Sequence, residues 1–190
     1  MPGGTALSLI RLFFQLLYLR AGPEDMPAGQ KPVLVAVVLY LGVGALLDLA
    51  VSGEPVGGTG GGLLLLVVDA LVMAGYSAGL ATLRGHRPRI AQMLTAVFGA
   101  TALLGLVAWP LVAMQPPMGE VGDGSIGWWA LMMIALFAWN LVVLGQIYRR
   151  TLDFGAALGV LAALGYFILS SLVYSTLAVQ LLSGDTGLPS

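Results

Sequence analysis

The chain has 190 residues and a formal charge of −1, and 58% of its residues are hydrophobic while only 9% are charged. A soluble domain carries roughly 25% charged residues, so this chain has too few of them to cover a surface in water. We therefore expect an integral membrane protein. The composition excludes a soluble enzyme and a nucleic-acid-binding protein. The absence of cysteine excludes disulfides, thiolate metal sites and cysteine nucleophiles.

The N-terminal region, residues 1–30, precedes the long apolar segments and contains an amphipathic stretch at residues 5–20. That stretch is short for a membrane span and has Arg11 in its middle, with Ser8 and Gln15 on the same polar stripe. No basic region precedes it, as one would in a signal peptide. We predict an interfacial helix on the cytoplasmic side of the membrane. A poorly formed sixth span and a helix packed beneath the bundle are the alternatives.

Five apolar segments are each long enough to cross a membrane, which takes about 20 residues of helix. Continuous apolar runs favour helices over the alternating strands of a membrane barrel. The sequence therefore predicts an all-α fold: a bundle of five transmembrane helices over residues 31–183, followed by an outer tail at 184–190. The predicted spans are residues 33–52, 62–83, 90–114, 127–148 and 154–182.

The basic residues predict the orientation of this bundle. With five spans, all eight of them fall on one side, at Arg11, Arg20, Lys31, Arg84, Arg87, Arg89, Arg149 and Arg150. The other side carries only acidic residues, Glu54, Glu120, Asp123 and Asp185. The positive-inside rule then places the N-terminus in the cytoplasm and the C-terminus outside, in a bacterial inner membrane. Trp109, Trp128 and Trp129 are expected at the outer interface.

Asp48 and Asp69 are the candidate acidic pair inside the membrane. Counted along the helices, they lie roughly 7 Å and 10 Å below the outer boundary, on consecutive antiparallel spans. No basic residue lies within a predicted span to neutralise them. Two carboxylates at one depth are not expected to be ionised together, so a shared proton is one interpretation. The alternatives are a structural role and contact with a partner subunit. No acidic or histidine residue continues inward, so no proton relay is expected.

Other polar and small residues within the spans predict helix packing. Asn140, Gln92 and Gln180 are expected to hydrogen-bond between helices. The motifs Gly75–Gly79 and Gly155–Gly159 place small residues four apart, which lets two helix backbones approach closely. This pattern does not distinguish a contact within the chain from one between chains.

The inner loops carry candidate residues for docking anionic lipids or an acidic partner: Arg84, His86, Arg87, Arg89, Arg149 and Arg150. His86 is the single histidine, so no metal site is expected, and we expect no carboxylate to pair with it. The glycine-rich run at residues 57–62 lacks the lysine and hydroxyl residue of a phosphate loop and predicts a flexible linker.

Three segments together resemble a known family. They are residues 17–27 (LYLRAGPEDMP), 91–100 (AQMLTAVFGA) and 139–150 (WNLVVLGQIYRR). They are similar to small proteobacterial membrane proteins that look like a bacterial branch of the Yip-domain family. The resemblance implies five spans, a cytoplasmic N-terminus and a role in membrane organisation or trafficking. It carries over no functional residues, and Gln146 stands where that group often has histidine.

These features together favour a non-catalytic accessory, assembly or scaffold subunit of a larger membrane complex. Its expected partners are the lipid bilayer and either other membrane subunits or further copies of the chain. We expect no cofactor and no nucleic acid. The alternative is a small proton- or cation-coupled transporter or channel that uses Asp48 and Asp69. A membrane enzyme ranks third, because the sequence offers no set of acid, base and nucleophile.

Overall fold

The computed structural model describes residues 4–52, 58–114 and 127–184. Six α-helices make up most of this part of the chain. They are α1 (Gly4–Leu17), α2 (Gln30–Ser52), α3 (Gly58–Leu83), α4 (Ile90–Ala113), α5 (Trp128–Leu152) and α6 (Ala156–Gly184). The acidic loop residues Glu54, Glu120, Asp123 and Asp185 lie outside the described residues, as does the C-terminal tail from 185 onward.

Helices α2 to α6 are each long and apolar enough to cross a membrane, which confirms the predicted five-span all-α architecture. The chain is a multi-pass membrane protein. In hydrocarbon every backbone amide must find its partner within the helix, and this need stabilises helix even at poor helix formers. Residues 58–62 form the first turns of α3, whose candidate membrane span begins at Gly61. The prediction of a flexible linker there is wrong.

The five long helices run alternately up and down, and their short connections meet at one end of the bundle. Two contacts between connections define this end: Arg150 binds Glu24 at 3.0 Å, and His86 binds Asp153 at 2.8 Å. We call it the basic end, because the arginines at residues 84–89 and 149–150 lie there. The opposite end is called the far end.

Helix α4 is the centre of the bundle and contacts α1, α2, α3 and α5. Its most extensive contact is with α2, and Gly105 makes that contact close. A Cβ atom at Gly105 would lie 2.8 Å from a methyl group of Val43. Phe98 on α4 is also buried, and its ring meets that of Tyr40 edge to face at 5.3 Å. The apolar core therefore follows α4 through the bundle.

Helix α1 is amphipathic and packs against α4 with its apolar face. Leu9, Phe13 and Leu16 are buried, whereas Arg11 is exposed. The Phe13 ring occupies the space that a side chain at Gly99 would need. Gly99 lies nine residues, about 14 Å, from the start of α4. The helix is thus attached to the side of the bundle, and its position at a membrane surface stays a prediction.

Candidate polar site inside the helix bundle

A cluster of hydroxyl groups surrounds the carboxylate of Asp69 near the middle of α3. Tyr40 of α2 donates a hydrogen bond to Oδ2, and Ser170 of α6 donates one to Oδ1. The Tyr166 hydroxyl of α6 lies 3.1 Å from Oδ1 and 3.2 Å from Oδ2. We call these four residues the Asp69 cluster. They tie three helices together through one acceptor group.

Helix geometry explains why α6 supplies two of the donors. Tyr166 and Ser170 are four residues apart, so their side chains share one face of the helix. Tyr40 is held on the other side by its ring contact with Phe98. Both tyrosine side chains are buried, at 9% exposure for Tyr40 and 4% for Tyr166. The donors are therefore fixed by packing before they meet the carboxylate.

Hydrogen bonds from the protein replace the water that the Asp69 carboxylate loses inside the bundle. A buried carboxylate is tolerated when charged pairs or hydrogen bonds compensate for lost hydration. Here the compensation comes from neutral hydroxyls, and hydrogen bonds to a carboxylate are roughly twice as strong as those between neutral groups. Both carboxylate oxygens already accept hydrogen bonds. In the described part of the chain no group of three acidic or histidine side chains could hold a metal ion.

Further hydroxyl groups lie between the Asp69 cluster and the basic end. Tyr76 donates a hydrogen bond of 2.8 Å to the carbonyl oxygen of Ala162, and Tyr148 and Ser77 share one of 3.0 Å. The ring of Tyr76 lies 6.3 Å from that of Tyr166 and 6.2 Å from that of Tyr148. These groups form separate hydrogen-bonded sets rather than one continuous chain.

The expectation that no relay continues toward the inner side rested on acidic and histidine residues alone. That expectation stays a prediction: in the described chain the polar groups between the Asp69 cluster and the basic end are tyrosine and serine hydroxyls in separate hydrogen-bonded sets. Tyr40, Tyr76 and Tyr166 all lie well inside predicted spans, away from the interfaces where tyrosine is common. Their position within the spans could have indicated the hydroxyl cluster from the sequence alone, because a tyrosine hydroxyl buried in a membrane needs a hydrogen-bond partner.

Asp48 and Asp69 are not brought together. Asp69 binds Tyr40 on α2, and Asp48 follows Tyr40 by eight residues, which is about 12 Å along that helix. This separation is too large for two carboxylates to share a proton. The interpretation of an acidic pair at one depth is therefore corrected to a single carboxylate with hydroxyl partners.

Asn140 does not make the hydrogen bond between helices that we expected of it. Its Oδ1 atom is buried without a hydrogen-bond partner in the described part of the chain. The Oγ1 atom of Thr101 on α4 is also buried without a hydrogen-bond partner there. Gln92 does make a hydrogen bond beyond its own helix, because its amide donates to the carbonyl oxygen of Met26 at 3.0 Å. It ties α4 to the segment that leads into α2.

The two glycine motifs have different surroundings. Gly159 of α6 crosses α5 so closely that a Cβ atom there would collide with the carbonyl oxygen of Gly145. That motif therefore serves packing within the chain, although Gly155 itself has open space around it. Gly75 and Gly79 are both exposed on α3, and a Cβ atom at either would meet nothing within 4 Å among the described atoms.

The predicted docking residues of the basic end are partly engaged with acidic groups. His86 Nε2 lies 2.8 Å from Asp153 Oδ2, and Arg89 lies 3.8 Å from the same oxygen. The expectation that no carboxylate pairs with His86 is wrong. Asp153 is distant in sequence, but it follows α5 in a left-handed conformation, with φ 53°, that turns the chain toward His86.

The other arginines of this end also have contacts. Arg150 binds Glu24 at 3.0 Å, and Arg149 donates to Gln146 at 3.4 Å. The guanidinium of Arg84 lies 5.0 Å from the centre of the Phe154 ring, within the range of a cation–π contact. These contacts hold the inner connections together, and Arg87 is exposed beside them.

Three tryptophan residues lie toward the far end, and their position at a membrane interface stays a prediction. Trp109 and Trp128 are exposed near the end of α4 and the start of α5. The indole nitrogen of Trp129 donates a hydrogen bond to the carbonyl oxygen of Leu111.

No family model, no curated protein and no solved structure matches the chain. The resemblance to the Yip-domain family therefore stays a prediction, and the function must be argued from the molecule itself.

Proposed function

We propose that the chain is a non-catalytic accessory, assembly or scaffold subunit of a larger complex in a bacterial inner membrane. The observation that carries this proposal is the open face at Gly75 and Gly79. Small residues four apart allow close approach of two helices, and within the described part of the chain no helix uses this pair. Leu71, one turn earlier on α3, is 65% exposed and continues the same face. A helix of another subunit, or of a second copy, fits this surface.

The Asp69 cluster supports the same proposal in a different way. The carboxylate is bound by hydroxyls from two other helices, so it acts as an internal tie rather than as an open position for an ion. A bundle whose helices are tied internally and which presents an open pair of small residues has the properties of a scaffold.

Substitution of the two glycines tests this proposal. The chain would be purified in mild detergent with and without Gly75→Leu plus Gly79→Leu, and everything that co-migrates would be identified by mass spectrometry. A Cβ atom at these positions meets no described atom, so the bundle folds, but the partner helix can no longer approach. We expect the original chain to co-migrate with a stoichiometric partner or as a defined homo-oligomer. The double variant should lose this association.

Gly42→Leu is the matched control. Gly42 is also exposed on a spanning helix, and a Cβ atom there would meet nothing within 4 Å, yet it has no small residue four positions away. This variant should keep the partner. The proposal fails if the original chain migrates alone as a monomer, or if the double variant retains the partner as well as Gly42→Leu does.

We further propose that the basic end faces the cytoplasm, with the C-terminus outside. The arginines of both connections at that end support this orientation through the positive-inside rule. A C-terminal alkaline phosphatase fusion should be active, and a C-terminal green fluorescent protein fusion should be dark. An inactive phosphatase fusion together with a fluorescent green fluorescent protein fusion would show that the C-terminus lies in the cytoplasm.

A small proton-coupled transporter or channel is the second candidate, and the Asp69 cluster is the observation that favours it. A carboxylate near the middle of a span, with hydroxyls continuing toward the basic end, is a group that could bind and release a proton. Asp48 lies outside this cluster. In proteoliposomes with an imposed potential, this candidate requires a proton flux that Asp69→Asn abolishes and Asp48→Asn leaves largely intact. If the proton flux does not exceed that of empty liposomes, this candidate is excluded.

A further inference from the structure

A crevice of about 360 Å³ lies between α2, α4 and α5 in the half of the bundle toward the far end. Its walls are apolar and include Leu47, Val112 and Met133. Its inner end is formed by Tyr40, Thr101 and Asn140.

The three polar residues of that inner end lie at one depth. Each is twelve residues from the far end of its own helix, at Ser52, Ala113 and Trp128 respectively. Twelve residues of helix correspond to about 18 Å, which is close to the middle of a 30 Å hydrocarbon layer, since each helix extends slightly beyond that layer. We call this inner end the polar floor of the crevice.

The polar floor has hydrogen-bonding capacity that the protein does not use. Thr101 Oγ1 and Asn140 Oδ1 are buried without a partner in the described chain. Water can compensate for such groups at a protein surface, but a bilayer interior supplies none. A crevice with apolar walls is also a poor place for isolated water. The floor therefore favours an occupant that brings its own polar group to the middle of the membrane.

The charge and the volume of the crevice limit which kind of molecule can bind there. The residues that line the crevice carry no charge, and a charged group at this depth is costly, so an ionic lipid head group is excluded. A partner helix is about 10 Å across and would need several times the available volume along this length. The volume is at the lower end of the range for small-molecule sites.

The donor and acceptor pattern narrows the class further. An amide oxygen only accepts a hydrogen bond, whereas a threonine hydroxyl both donates and accepts. In the amide orientation that the structure has, a ligand hydroxyl can donate to Asn140 Oδ1 and accept from the Thr101 hydroxyl. A carbonyl group can only accept, so it would leave the Asn140 oxygen without a donor.

We propose that this crevice binds a neutral, lipid-soluble alcohol. Its hydroxyl group lies on the polar floor between Thr101 and Asn140, and its aliphatic tail runs along Leu47, Val112 and Met133 toward the far end. This site is separate from the Gly75–Gly79 face and does not depend on the accessory role.

Photolabelling of the full chain in lipid nanodiscs tests the proposal. The probe is a twelve-carbon alcohol with a diazirine in its chain, and the matched probe is the same diazirine alkane without the hydroxyl. After irradiation, labelled residues are mapped by mass spectrometry. We expect the alcohol to label crevice residues about tenfold more than the alkane does, because two hydrogen bonds at the floor hold it there.

Two variants identify the floor as the cause. Thr101→Val combined with Asn140→Leu should reduce labelling by the alcohol to the level of the alkane. Thr176→Val is the matched control, since Thr176 is exposed on α6 and bonds only the carbonyl oxygen of Leu172, at 2.8 Å. It should leave the labelling unchanged.

The proposal is overturned if the alcohol and the alkane label the crevice equally, which would indicate an ordinary acyl chain. It is overturned equally if the double variant labels as strongly as the original chain. Should the double variant fail to fold, the ratio between the two probes on the original chain decides the question alone.

Discussion

Asp69 and Asn140 lie at similar places in the molecule, each near the middle of a spanning helix, but their surroundings are opposite. Asp69 has hydroxyl donors from two neighbouring helices, whereas the side-chain oxygen of Asn140 has no partner in the described chain. The half-buried carboxylate, which is the more expensive group to remove from water, is the one that has hydrogen-bond donors on both oxygens. The comparison indicates that a polar residue within a membrane protein is either a tie between its own helices or one half of an interaction with something else.

The largest effect is expected for Asp69→Ala. This change removes the shared acceptor and leaves the buried hydroxyls of Tyr40 and Tyr166 and the half-buried hydroxyl of Ser170 without it, at about 1–3 kcal/mol for each unsatisfied buried group. We expect the free energy of unfolding in mixed detergent micelles to fall by about 3 kcal/mol or more. Asp69→Asn keeps one acceptor oxygen and should lose less. Equal stability of Asp69→Ala and the original chain would show that the cluster is not a tie.

A smaller loss is expected for Tyr166→Phe, which removes one donor and keeps the ring. Hydrogen bonds between membrane helices contribute about 0.6 kcal/mol on average, and those to charged groups about 1.5–3 kcal/mol. We expect a loss of about 1 kcal/mol in the same unfolding assay. Tyr174→Phe is the control, because Tyr174 is exposed on the same helix and should tolerate the change. Tyr166→Phe added to Asp69→Ala should cost almost nothing more, since the two groups act together.

The smallest effect is expected at the polar floor of the crevice. Thr101→Val combined with Asn140→Leu replaces two unpartnered polar groups by apolar ones, so the free energy of unfolding should change by less than about 0.5 kcal/mol or rise. The measurement is again unfolding in mixed micelles, with no added alcohol. A loss as large as that of Tyr166→Phe would mean that these side chains do stabilise the bundle, and the contrast with Asp69 would then be false.

The sequence predicted the helices well and the contacts between them poorly. The five spans follow from the length of the apolar runs, which depends only on local composition. The partners of Asp69 could not be predicted, because they depend on how far each helix slides and rotates against the next. Sliding α2 by about two turns against α3 would exchange Tyr40 for Asp48 as the neighbour of Asp69. The hydropathy of the sequence is the same in both arrangements.

The same limit explains the other corrections. Asp153 reaches His86 only because the chain after α5 turns back in a left-handed conformation. The motifs Gly75–Gly79 and Gly155–Gly159 are indistinguishable as sequence, and only the crossing of Gly159 over Gly145 shows which one is used internally. Residues 58–62 are helical despite their glycine-rich composition because they extend a long helix that has already formed, and extending a helix costs less than starting one.

The contact between Phe13 and Gly99 has a consequence for the order of assembly. Phe13 precedes Gly99, the glycine of the central helix that accommodates its ring, by more than eighty residues. Because a chain is synthesised from its N-terminus, α1 has no docking site while α2 and α3 are being inserted. Docking of α1 therefore waits until α4 has been made, although it can take place before α5 and α6 are complete.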